Sequence, residues 1–313
     1  MKILLIDHAK KHFREQQTGR WHFLPYYFEK LGHEVLHVTK KDWKKFPFLY
    51  ARFKPEVIIA TGFAAILPLK MKRLGLIKTL IIYDWNDYWN ELLATKLGIE
   101  KAAKFEAYCV ENSDFLITPS RYLASKAEVF GKKAELILHG SDLNFKLKPK
   151  KLHGKFKVLY IGEQTPYKHV DRIIKAVKGL QCELYLIGKP NEELQATTSK
   201  NVHFINQVPH NEILSYIKAA DVCVCTADQE NLKMYEYAKA GKAILAYNGR
   251  IAYFLKHLET AYLTEDLREG LQVLMKNSRL RKNLADNVKK IKISSWQEIA
   301  KTYLTFLNNK VLK

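Results

Sequence analysis

The chain has 313 residues, 47% of them hydrophobic, and a formal charge of +20 from 52 Lys and Arg against 32 Asp and Glu. That length holds two domains with a core each, and no apolar run reaches the roughly 18 residues of a membrane span. The start, Met1–His8, turns polar too early for a secretory signal, and Cys109, Cys182, Cys223 and Cys225 do not fall in a metal-binding pattern. The expectation is therefore a reduced, cytoplasmic protein with no bound metal.

The predicted elements alternate strand and helix, the pattern of parallel sheets. Lys2–Asp7 reads as a buried strand. Gly19 sits in a polar loop, Trp21–Leu31 has helical spacing ending at Gly32, and His33–Thr39 is the second strand. Val57–Thr61 and Thr79–Tyr83 are further strands, with amphipathic Phe63–Leu74 between them. Glu100–Asn112 is a helix leading into strand Asp114–Thr118, Ser120 caps another helix, and Glu135–Leu138 is a last short strand. Residues 144–156 lack apolar periodicity and contain Pro149 and Gly154, which marks them as a linker. The cycle then restarts with strand Lys157–Ile161, helix Val170–Leu180, strand Cys182–Ile187, strand His203–Ile205 and helix Asn211–Ala219. Two doubly wound halves joined by one linker form a cleft, a favoured place for a ligand.

Residues 220–246 carry the clearest chemistry. Asp221–Thr226 is a strand, Ala227–Asn231 a polar loop, Leu232–Ala240 a helix, Gly241 its stop, and Ala243–Ala246 a strand. Such a unit places a helix N-terminus at the sheet's carboxyl edge, where α/β proteins bind phosphates. Asp228 and Glu236 bracket it, and acids beside an anion site suit neutral hydroxyls of a sugar or ribose.

The spacing Asp228-x7-Glu236, followed by a helix ending in Ala240-Gly241-Lys242, resembles the donor-site signature of retaining glycosyltransferases of GT-B fold, family 4 (glycosyl transferases group 1). Further segments are similar in the same order: Tyr83-Asp84-Trp85-Asn86-Asp87, Leu138-His139-Gly140-Ser141-Asp142, Tyr160–Ala176 with Gly162 and Lys168, Leu186–Pro190, Phe204–Val208, and Ser294-Ser295-Trp296. The departures are Asp228 for the first Glu, Ala243 for a Pro, and Glu163 where the family carries an Arg beside its diphosphate.

The resemblance implies two Rossmann-like domains: an acceptor-side domain over 1–146, with a helix of about 297–313 packing back on it, and a donor-binding domain over 147–296. It implies that Glu236 meets the ribose, that Asp228 meets the transferred sugar, and that the backbone at Val208 receives the base. Lys168 would stabilise the leaving diphosphate with the amides of Asn231 and Leu232, and Lys233 could supply the charge that Glu163 does not. Gly19 would let backbone approach the phosphates, Asp84 would orient the attacking hydroxyl, and Asp87 would stand on the acceptor side. The donor is then a nucleotide-diphosphate sugar used without a metal or other cofactor.

Charge adds the partner. Residues 1–80 hold 16 Lys and Arg against 6 Asp and Glu, in clusters at Lys10-Lys11, Lys40-Lys41, Lys44-Lys45 and Lys70–Arg73. Such a surface attracts anionic lipid, nucleic-acid phosphate, or neither, as a solubility surface. The resemblance favours a lipid-linked or polysaccharide acceptor, with peripheral contact at the inner face of a membrane. A nucleic-acid binder, a DNA-sugar transferase and a non-catalytic glycan binder are the alternatives.

Overall fold

The computed structural model describes residues 1–15, 19–143, 145–196 and 199–311. It divides into two compact units, Met1–Gly140 with Ser294–Lys313, and Ser141–Ile293. The divisions fall a few residues before the 146/147 and 296/297 of the sequence reading. Residues 145–156 are not a free tether, because Lys218 Nζ donates to the carbonyls of Phe145 and Leu147, and Lys150 N donates to Ser215 O.

In the first unit the chain runs β1 (Lys2–Ile6), α1 (Arg20–Lys30), β2 (Glu34–Val38), α2 (Phe46–Phe53), β3 (Val57–Ala60), α3 (Ile66–Arg73), β4 (Leu80–Asp84), α4 (Trp89–Leu97), α5 (Ile99–Asn112), β5 (Phe115–Thr118), α6 (Arg121–Val129) and β6 (Ala134–Leu136). Its six strands are all parallel, in the order β2-β1-β3-β4-β5-β6. Both faces are covered, which is why the strands read as continuous apolar runs rather than alternating ones. Leu4, Ile6, Ile58, Ile81 and Tyr83 pack with Phe46, Leu69, Phe105 and Val110 on one face. Leu5 and Ile59 meet Leu24, Phe28 and Tyr303 on the other. Ser120 caps α6 as its position predicts, its Oγ accepting from Leu123 N at 3.2 Å.

The second unit runs β7 (Lys157–Ile161), α7 (Val170–Val177), β8 (Glu183–Ile187), α8 (Glu192–Ala196), β9 (Val202–Ile205), α9 (Ile213–Ala219), β10 (Val222–Cys225), α10 (Leu232–Lys239), β11 (Ile244–Tyr247), β12 (Tyr262–Thr264), α11 (Leu267–Lys276) and α12 (Ser278–Val288). The last helix, α13 (Trp296–Val311), belongs to the first unit and packs on α1, with Phe28 and Tyr303 rings 5.6 Å apart. The sheet of the second unit is again fully parallel, in the order β12-β11-β10-β7-β8-β9. Five of the described helices are absent from the sequence reading: α2, α4, α8, α11 and α12. Helix α2 is eight residues long and almost wholly apolar and aromatic, FPFLYARF, too short and too uniform to show a helical period, while no element is expected over residues 247–293. Among the described residues, no helix is long and apolar enough to cross a membrane.

The order of the second sheet decides where chemistry can occur. From β7 the chain builds outward through β8 and β9, then returns to lay β10 on the other side of β7. The loops after β7 and β10 therefore diverge and open a crevice at the carboxyl edge. Gly162 and Gly188 shape its floor: both have positive φ (135° and 148°), and a Cβ on Gly188 would lie 2.1 Å from Gly162 O. We expect Gly188→Ala to destabilise the protein by more than the roughly 1–3 kcal/mol of backbone strain alone, read as a lower urea midpoint.

Candidate functional site

The crevice of the second unit gathers side chains from four loops. After β7, Pro166–Lys168 forms a single 3-10 turn that carries the half-buried Lys168. Thr226 Oγ1 donates to Lys168 O at 2.6 Å, and Tyr167 Oη donates to Gln229 Oε1 at 2.7 Å. The loop after β10 is thereby stitched to the loop after β7. Val208 lies half-buried in the loop after β9, and Asn231 is the N-cap of α10 with extended backbone and no side-chain cap. The amides of Leu232 and Lys233 follow it in the first helical turn, where no intrahelical acceptor exists. The Asn231 Oδ1 is buried and has no hydrogen-bond partner among the described residues.

Lys233 reaches back from α10 toward β7. Its Nζ lies 3.6 Å from the Tyr160 ring centroid, against the hydrogen-only face of Gly162. Burial, with the nearby Lys168 charge adding to it, pulls its pKa down to about 7. At neutral pH this ammonium is thus close to shedding its proton, and an anion beside it would hold the proton on. Glu163 is exposed; Tyr160 Oη is bonded to its backbone carbonyl, and among the described residues its carboxylate forms no ion pair with Lys168. The acid in the expected Arg position therefore turns outward, and Lys233 occupies the space beside Gly162.

Glu236, one turn after Lys233, is 3% exposed. His210 Nε2 lies 2.6 Å from its Oε1, a pairing the sequence reading misses. Burial lowers the His210 pKa, but the bond to Glu236 and the charges of Glu236 and Asp142 outweigh it, and the net direction is upward. Asp228 is also paired. Arg250, delivered by the Asn248-Gly249 turn after β11, grips it with two bonds of 3.0 Å (Nε to Oδ2, Nη2 to Oδ1). Arg172 Nη1 donates to Thr226 O at 3.2 Å beneath this loop, and its guanidinium lies 3.7 Å from the Tyr247 ring centroid. Arg250 lies beyond the segment the sequence reading interprets; its signal is a Gly-Arg pair directly after an apolar strand. Cys225, behind the loop, is buried, and burial pushes its thiol up to about 12. Among the described residues, no three His, Cys, Asp or Glu side chains converge as a metal site requires.

The first unit overturns one expectation. Asp84 ends β4 but does not face an open edge: it is fully buried, and Arg20 Nε donates to its Oδ2 at 2.8 Å. Tyr303 Oη lies 3.3 Å from the same oxygen, and Arg20 Nη1 also reaches the carbonyls of Ile137 and Leu138. Burial raises the Asp84 pKa against the pull of Arg20. A carboxylate so enclosed cannot meet an acceptor hydroxyl; it locks α1 and α13 onto the sheet. Asp87, three residues on, is half-buried, with its carbonyl accepting from Trp89 N at 3.0 Å. Gly19 is the N-cap of α1 with φ 94°, and nothing lies within 4 Å of where its Cβ would stand. Backbone conformation, not crowding, asks for glycine there.

Residues 143–291 match the family described as Glycosyl transferases group 1. A glycosyltransferase of Methanocaldococcus jannaschii, MJ1178, itself uncharacterized, is 26% identical over 223 residues, 63% of this chain and 60% of that relative's length. Among solved structures, sucrose-phosphate synthase from Thermosynechococcus elongatus superposes with a TM-score of 0.82 at 15% identity, covering 99% of this chain and 98% of that one. Anabaena Alr3699/HepE in complex with UDP gives 0.73 at 14% identity over 99% and 100% of the two chains. S. aureus MnaA with UDP gives 0.69 at 12% identity over 99% and 96%. At these identities the structural likenesses establish the fold, which is GT-B.

Asp84→Ala should cost about 3–5 kcal/mol of folding stability, because it strands the Arg20 guanidinium in the core. A catalytic Asp84 would instead leave the denaturation midpoint in place and remove only turnover.

Proposed function

We propose, for a GT-B chain whose residues 143–291 form a glycosyl transferases group 1 domain, that the protein is a retaining glycosyltransferase. It takes a nucleotide-diphosphate sugar and transfers the sugar to a lipid-linked or glycan acceptor at a membrane surface, without a metal. One observation carries the donor half: Lys168, Lys233, Glu236 and the N-terminus of α10 meet at the switch point of the matched domain's sheet.

Each part has a physical task. Breaking the bond to the leaving diphosphate builds negative charge there, and preorganised cations and helix amides stabilise it without solvent reorganisation. Lys168 and Lys233 supply the cations, and the amides of Asn231 and Leu232 the dipoles. Glu236 accepts from the ribose hydroxyls, and the backbone at Val208 takes the base. Asp228, held by Arg250, offers its remaining lone pairs to the sugar and fixes a third cation at the same edge. UDP in the HepE and MnaA structures supports a nucleoside diphosphate as the shared ligand class.

Lys233 sets the pH dependence. Diphosphate binding raises its pKa from about 7, so binding takes up a proton and weakens as pH rises through that value. Calorimetry of nucleoside diphosphate binding at pH 8 in buffers of different ionisation enthalpy should show uptake that Lys233→Met abolishes. Lys168→Ala should weaken binding about tenfold or more, the loss of one charge-assisted contact, and reduce the uptake without abolishing it, because the Lys168 charge adds to the burial that holds the Lys233 pKa down. No binding of UDP, ADP or GDP in a thermal-shift screen would overturn the donor reading.

The acceptor half rests on the first unit's charge. Lys40, Lys41, Lys44 and Lys45 are exposed ahead of α2 and Arg52 in its last turn, and Phe48 on the same helix is 65% exposed. Lys40 N bonds to Ala9 O, which brings exposed Lys10 beside them. An aromatic ring inside a basic cluster suits an anionic bilayer surface, where each cation contributes about 1 kcal/mol. The pair Lys44→Ser and Lys45→Ser should lower partitioning onto phosphatidylserine vesicles by about thirtyfold, and Phe48→Ser should lower it further. Wild-type protein that does not sediment with such vesicles removes the membrane reading and leaves a soluble glycan acceptor.

A further inference from the structure

The pairing of His210 with Glu236 asks for an explanation, because the resemblance that brings out Glu236 says nothing of a histidine. His210 opens the 3-10 turn His210–Glu212 that follows the Val208 loop. Its side chain is 10% exposed and that of Glu236 4%. Two charges at that depth give up most of their hydration, so the contact is a costly way to hold two elements together. A packed apolar pair would serve a purely structural purpose at lower cost.

The position of each partner suggests what the pair does. Glu236 sits on α10 and His210 directly after the loop that carries Val208, so one bond joins two walls of the proposed nucleoside pocket. Asp142 acts on His210 from the first residues of the unit, and that stretch is anchored to α10 by Lys239 Nζ, which donates to Ser141 O. Glu236 and Asp142 are the charged groups that act on the imidazole, with Lys233 one turn from Glu236 on the same helix.

We propose that His210 is the positioning residue for donor-ribose recognition: it occupies Oε1 of Glu236, so that Oε2 is the oxygen presented to the ribose hydroxyls. This rests on the donor-binding reading given above. A free glutamate rotates about three side-chain bonds, and fixing it before the ligand arrives removes that entropy from the binding step. The imidazole also ties ribose recognition to the base-contacting loop, so a hydroxyl contact and a base contact are set in register by one bond.

A protonated His210 donates a charge-assisted bond that is lost when the proton leaves. Because its folded pKa lies above the unfolded one, its stabilising contribution is complete below about 6.5 and fades as pH rises through the folded value. Ribose recognition should fade over the same range.

The test compares a nucleoside diphosphate with its 2′,3′-dideoxy counterpart, so that phosphate and base contacts cancel. Full-length wild-type protein should bind UDP, or whichever of UDP, ADP and GDP it prefers, about tenfold or more tightly than the dideoxy form, the span of a hydrogen bond to a charged group. His210→Ala should reduce that ratio to below about threefold while leaving dideoxy binding within twofold of wild type, and His210→Gln should recover part of it without the pH dependence. The Gln variant also serves if the Ala variant does not fold. A ratio unchanged in both variants overturns the positioning role and spares the donor reading. A wild-type ratio of one overturns the ribose assignment of Glu236 and the role of His210 with it. Absence of any nucleotide binding overturns the donor reading itself.

Discussion

A charge removed from water must be met by another group, and that constraint organises the functional parts of this protein. Asp84 is met by Arg20, Glu236 by His210, Asp228 by Arg250, and the Lys233 ammonium by the face of Tyr160. Every one of these contacts joins residues that are far apart in the chain. Each therefore ties one element to another: α1 to β4, the Val208 loop to α10, the loop after β10 to the loop after β11, and α10 to β7. Apolar packing supplies most of the stability, but these contacts fix which loop lies against which.

The pairs differ in what they leave available. Arg20 and Asp84 are enclosed completely, with Tyr303 closing over them, and their effect is confined to the core of the first unit. The three in the second unit stand at the open edge of a parallel sheet. There the same economy of charge suits recognition, because a paired group keeps lone pairs or protons that a ligand can meet. Lys233 is the extreme case: an ammonium near its titration point is a cation stabilised most when an anion arrives.

Much of this was legible in the chain itself. The alternation of apolar runs and amphipathic stretches marks nearly all the central strands, because a strand buried on both faces cannot alternate. Helix α10 is readable from its Gly241 stop and Asn231 start, and Glu236 from its spacing to Asp228. Helices α2, α4, α8, α11 and α12 are the exceptions: the first three are short, and no sequence motif draws attention to α11 and α12, which pack over the sheet. Asp84 misleads because an acid after a strand, set among aromatics, looks the same whether it faces solvent or an arginine from another helix.

Sequence alone determined the class of most central elements, the two-sheet organisation and the chemical types at the loop after β10, since these depend on local periodicity and on residues close in the chain. Tertiary structure alone decided which charges are paired. Arg20 meets Asp84 across 64 positions and His210 meets Glu236 across 26. The first pair follows from laying α1 against the end of β4, and the second from returning β10 to the side of β7, which brings distant loops to one edge. No local pattern encodes these placements, because they follow from how whole sheets bury their faces.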